Sequence, residues 1–170
     1  FLLAAAVLIV LAPSALASRW TPQALALTHA LTLGFLAMVM LGALLQMLPV
    51  VAGSPLPAPR WVAWLSHVSL TLGTFTLMAG FVTAEPAALN AAVLFLGGAF
   101  TVFLAAAAIS LARAVSGVTV SAIRLAVIGL AVTLLLGLAL ALLHAGWWIP
   151  PAVEAAIAAH VAFGLLGWVL

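Results

Sequence analysis

The chain has 170 residues, of which 69% are hydrophobic and 4% are charged, and its mean hydropathy is +1.49. These values lie far outside the range of soluble domains and indicate an integral membrane protein. Its charged side chains are four arginines and two glutamates, a balance that gives no indication of nucleic-acid binding. The absence of cysteine excludes disulfides, iron–sulfur clusters and thiolate metal sites within this chain. Any metal held by it would need histidine, methionine or backbone ligands.

Apolar segments separated by proline, glycine or charged residues predict an all-α, polytopic transmembrane helix bundle forming a single transmembrane domain over residues 1–170. A helix of about 20 apolar residues is long enough to cross the hydrocarbon core of a membrane. The predicted helices cover about 1–17, 22–50, 61–83, 87–113, 119–145 and 150–170.

The first apolar segment begins without a methionine or a charged lead-in. We therefore expect it to be a truncated transmembrane helix of a longer chain. The alternative is a signal peptide, because Ala15-Leu16-Ala17 before Ser18 is typical of a signal-peptidase site.

The second segment carries His29 inside a long apolar helix. Hydrocarbon offers an imidazole no water, so this side chain needs a hydrogen-bond partner, a metal or a haem iron. Ordinary packing with a hydrogen bond is the alternative to a functional role. Gly34 belongs to a stripe of small residues on the same helix, which permits close approach of either a neighbouring helix or a flat cofactor.

The last segment repeats this arrangement around His160. Each histidine lies about two turns into its helix, a glycine follows about one turn later, and proline precedes it: Pro22 in one case, Pro150 and Pro151 in the other. The repeat predicts that His29 and His160 lie at similar depth.

The two remaining histidines are predicted near helix ends. His67 follows Trp61 and Trp64 at the start of the third helix and is expected to be structural, reaching headgroups or water. His144 ends the fifth helix beside Trp147-Trp148, where it is either solvated or close to a haem propionate. The fourth helix has no ionisable side chain within the membrane and is expected to be scaffold.

The charged residues lie in loops that alternate between the two sides of the predicted bundle. Arg60, Arg113 and Arg124 fall on one side, and the other side has Arg19, Glu85 and Glu154. The positive-inside rule makes the three-arginine side cytoplasmic in a bacterial-type inner membrane, with the N-terminus cytoplasmic. His29 and His160 are then expected in the outer half of the bilayer and His67 in the inner half.

A spaced pattern in the second helix resembles haem-copper oxidase subunit I and its nitric oxide reductase relatives, most closely the C-type branch. The residues that carry the resemblance are His29, Gly34, Phe35, Gly42, Gln46, Leu48 and Pro49. It implies that the chain is the first half of a twelve-helix fold. By position, His29 matches a ligand of the low-spin haem, and His160 matches a ligand of copper or another second metal.

The resemblance implies a haem-binding protein, with haem b expected, for respiratory electron transfer or for O2 or NO binding or reduction. An oxidoreductase of this kind would work with the lipid bilayer and a redox partner or other membrane subunits. Proton pumping is not expected, because lysine, aspartate and tyrosine are absent. The alternatives are a cofactor-free accessory or assembly subunit, a nitric-oxide-response relative and a small-solute transporter, for which Gly97-Gly98 would supply a helix break.

Overall fold

The computed structural model describes residues 1–12, 17–147 and 152–169, and these residues form six helices and no strand. The predicted all-α fold is confirmed. The prolines at 150 and 151 lie outside the described residues, and so do Ala15 and Leu16 of the signal-peptidase motif. The helices are α1 (Leu2–Leu11), α2 (Pro22–Val51), α3 (Pro59–Thr83), α4 (Pro86–Arg113), α5 (Val118–His144) and α6 (Val153–Val169).

Four of these helices, α2 to α5, are long and apolar enough to cross a membrane, and α6 is a shorter apolar helix. Large apolar side chains cover much of their outer surface; Leu94 of α4 is 75% exposed and Leu135 of α5 is 67% exposed. Such side chains suit contact with lipid, where water is absent. The chain is therefore a multi-pass membrane protein.

Neighbouring helices run antiparallel. In the α3–α4 pair, Gly73 packs against Leu96 and Gly80 packs against Leu89, so residue numbers rise along one helix as they fall along the other. A Cβ on Gly73 would lie 2.7 Å from the Leu96 side chain, which shows how closely these helices approach. Small residues give such packing in membranes, where no hydrophobic force drives helices together.

The closely packed helix pairs are all successive in the chain, from α1–α2 through to α5–α6. Together with the antiparallel order, this places the two charge groups at opposite ends of the bundle. We call the end with Arg60, Arg113 and Arg124 the arginine end. The opposite end, with Trp20 and Trp147, is called the tryptophan end. His29 and His160 each lie seven residues after the first residue of their helix, about 10 Å in from the tryptophan end.

Two helices depart from regular α geometry. The segments Thr32–Ala37 of α2 and Phe163–Val169 of α6 are π-helical. Segments of this kind insert a residue into an α-helix and are frequent at functional sites. In α2 the α-helical conformation resumes at Met38.

The loop between α2 and α3 is fastened to the arginine end. Ser110 of α4, which is fully buried, donates its hydroxyl hydrogen to the carbonyl of Ser54. Arg124 donates to the carbonyl of Leu111 at 2.8 Å and so satisfies a group in the last turn of α4. These bonds join α4 to the loop and to α5 at the end opposite His29 and His160.

Candidate functional site

The structure brings His29 of α2 and His160 of α6 together. Their ring centres are 6.4 Å apart and their planes differ by 17°. Both side chains are partly buried between helices. The predicted similarity in depth is confirmed, although the two residues come from opposite ends of the chain.

Each of these rings is fixed by one hydrogen bond to a backbone carbonyl. Nδ1 of His29 lies 2.8 Å from the oxygen of Leu25, one turn earlier in α2. Nδ1 of His160 lies 3.0 Å from the oxygen of Thr133 in α5. A carbonyl can only accept, so Nδ1 carries the hydrogen in both rings, and in the neutral imidazole Nε2 is left with a free lone pair.

The Nε2 nitrogen is the unpartnered atom of each ring. No hydrogen bond from the described residues reaches Nε2 of His29 or of His160. A histidine with Nδ1–H bonded to a carbonyl and Nε2 open is the arrangement that metal-binding histidines adopt.

The backbone around each histidine is also alike. The π-helical segment begins three residues after His29, at Thr32, and three residues after His160, at Phe163. The sequence repeat is therefore a repeat of local structure, with the same change from α to π geometry at the same distance from the imidazole. Such a segment changes which side chains share a helix face, an effect that sequence spacing does not reveal.

Phe81 near the end of α3 connects the pair to a third histidine. Its ring centre is 5.3 Å from that of His29 and 5.6 Å from that of His144, which meets it edge to face. A cleft of about 190 Å³ opens beside these rings at the tryptophan end. Its lining residues are Trp20, Pro22, Leu25, Gly80, Phe81, Ala84, Leu89 and His144. His144 is exposed, and its Nδ1 is bonded to the carbonyl of Leu140 at 2.9 Å.

Two other residues singled out from the sequence lie away from the pair. The face of Gly34 is occupied by Phe1, whose ring stands where a Cβ would be. The small residue there serves packing of α1 against α2. His67 is exposed in α3, about 20 Å along that helix from Phe81.

The structure adds two residues that sequence reasoning did not select. Phe81 is one apolar aromatic residue among many, and its position between two histidines depends on helix packing. Thr133 contributes its backbone carbonyl, a group that every residue has, so no sequence signal marks it. Among the described residues, no group of three or more histidine, cysteine, aspartate or glutamate side chains is placed to hold a metal ion.

Comparisons with protein-family models, with curated proteins and with solved structures find no match to this chain.

Proposed function

We propose that the chain is a haem-binding membrane protein in which His29 is an axial ligand of a b-type haem. The proposal rests on the hydrogen bonding of this imidazole. Its Nδ1–H is fixed to the carbonyl of Leu25, and its Nε2 has no partner among the described residues. Binding to iron offsets the cost of placing that lone pair in an apolar surrounding.

A haem suits these residues better than a bare metal ion. Zinc sites in proteins generally use three or four protein ligands. The described residues hold no group of three such side chains, whereas a haem brings four ring nitrogens of its own and needs only axial ligands from the protein. When bound, it would supply one-electron transfer or the binding of a small gas molecule.

The residues around His29 have separate roles in this proposal. The Leu25 carbonyl orients the imidazole and makes it a better donor to iron. Phe81 packs against the ring, with the ring centres 5.3 Å apart. His144, exposed on the rim of the adjoining cleft, would contact a haem propionate at the tryptophan end. A polar group there allows the acidic edge of the haem to face the membrane surface.

The proposed setting is a bacterial-type cytoplasmic membrane with the arginine end inside and His29 in the outer half of the bilayer. The three arginines at one end support this orientation through the positive-inside rule. The resemblance to haem-copper oxidase subunit I implies a respiratory role with a redox partner or further membrane subunits, and a second metal such as copper with His160 as a ligand.

The test is a reduced-minus-oxidised absorption spectrum of the purified protein and of two variants. The unmodified protein should give a sharp b-type band. His29→Ala should lose that low-spin band, and His67→Ala should keep it, because His67 is exposed and distant. Size-exclusion profiles would show that each variant is folded. Full haem content with an unchanged band in His29→Ala would refute the proposal.

A further inference from the structure

We infer that His29 and His160 bind the same iron, one on each face of a single haem. The inference rests on the haem-binding function proposed above and adds the second axial ligand. It departs from the resemblance, which assigns His160 to a different metal.

The distance between the rings is the first argument. An imidazole nitrogen binds a metal at about 2.0–2.1 Å, and the ring centre lies about 1.1 Å behind it, so two rings on one metal have centres about 6.3 Å apart. The observed separation is 6.4 Å. This value is at the long end of the range for aromatic rings that merely pack together.

The second argument is the matching state of the two rings. Both have Nδ1–H bonded to a carbonyl, so both are fixed with Nε2 as the free ligand atom. Neither Nε2 atom has a hydrogen-bond partner among the described residues. The planes differ by only 17°, so the two carbonyls hold the rings in nearly parallel orientations. Two ligands on one iron need this kind of fixed, paired placement.

The third argument is the spacing of the helices that carry the rings. The closely packed pairs are successive helices, and α2 and α6 are not such a pair. His160 is supported instead by Thr133 of α5, and His29 by its own helix and by Phe81 of α3. The two imidazoles thus approach each other from separately supported sides.

Two histidine ligands define the class of chemistry. With both axial positions occupied, the iron is six-coordinate and low-spin and has no open position for a gas. The haem held by this pair would therefore transfer electrons, and any O2 or NO chemistry of the whole protein would occur at another centre.

The test compares His160→Ala with the unmodified protein by absorption and EPR spectroscopy, with and without carbon monoxide. The unmodified protein should be low-spin and should not bind carbon monoxide. His160→Ala should keep haem on His29, become high-spin and bind carbon monoxide, and added imidazole should restore the low-spin spectrum. His67→Ala is the matched control and should stay low-spin, because His67 is exposed and lies far from both rings.

A second variant covers the case in which His160→Ala does not fold. His160→Met should remain low-spin and show a higher midpoint potential, because a methionine ligand raises the potential of a haem. A low-spin spectrum in His160→Ala, with no carbon monoxide binding and an unchanged potential in His160→Met, would overturn the inference while leaving His29 as a ligand. Absence of haem from the unmodified protein would overturn the proposed function itself.

Discussion

Gly137 of α5 lies directly against the imidazole of His160 in α6. A Cβ at position 137 would come within 2.8 Å of Cε1 of that ring, closer than atoms of this kind approach each other. The ring therefore occupies space that any residue other than glycine would fill. Gly137 and the carbonyl of Thr133 together determine where the His160 imidazole lies.

Gly137→Ala should weaken haem binding. Overpacking of a closely packed site costs about 1–3 kcal/mol, which corresponds to roughly a ten-fold loss of haem affinity. The measurement is a titration of the haem-free protein with haem. Gly98→Ala in α4 is the control, because a Cβ there would meet nothing within 4 Å. Equal affinities for the two variants would show that the Gly137 contact does not position a haem ligand.

Gly129→Ala should destabilise the α5–α6 pair. A Cβ at position 129 would collide with the backbone carbonyl of Gly167, and a backbone group cannot rotate away as a side chain can. We expect the free energy of unfolding to fall by about 1–3 kcal/mol, measured by thermal or denaturant unfolding in detergent. Gly42→Ala, which meets nothing within 4 Å, should stay within about 0.5 kcal/mol of the parent. A loss of the same size at both positions would argue against this contact.

The helix bundle and the shared depth of the two histidines were accessible from the sequence. Prolines near helix starts and continuous apolar segments predicted six helices; α3, expected at 61–83, begins at Pro59 and ends at Thr83. The shared spacing of His29 and His160 from their helix starts predicted equal depth, because a helix converts residue number into distance along its axis. Both inferences depend on local properties of the chain.

The surroundings of the pair were not accessible in this way. The π-helical segments after His29 and His160 each depend on a one-residue change in hydrogen bonding that leaves no mark in composition. The stripe that includes Gly34 allowed a flat cofactor or a neighbouring helix, and the structure places Phe1 there. Thr133 and Gly137 face His160 only because α5 and α6 pack at one particular register. These contacts join residues that are far apart in the chain, so local sequence patterns do not reveal them.

The proposed topology places Ser18 outside and Arg60 inside. Both residues are exposed. Because the chain has no native cysteine, a cysteine introduced at either position would be its single thiol, and any labelling would come from that position. A membrane-impermeant thiol reagent added from the periplasmic side should label Ser18→Cys and miss Arg60→Cys. After detergent solubilisation both should be labelled. Labelling of Arg60→Cys alone in intact cells would reverse the orientation.

The chain should not pump protons. The buried polar side chains of the described residues are Ser54, Ser66, Thr74 and Ser110. The hydroxyls of Ser66, Thr74 and Ser110 each donate to a carbonyl, and none of these groups titrates near neutral pH. A proton relay requires protonatable side chains or water held by polar groups. Proteoliposomes should therefore show no outward proton ejection that is sensitive to substitutions in α2–α6; ejection abolished by such a substitution would contradict this prediction.

The serial packing of the helices has a consequence for biosynthesis. Because each helix packs against the one made just before it, the bundle can assemble step by step as helices leave the translocon, with little search among distant partners. The contact between His29 and His160 departs from this order, since it joins α2 to α6. A nascent chain that ends after α5 would present His29 without its companion ring. Paired ligation of haem would thus be delayed until α6 has entered the membrane, late in synthesis of this segment.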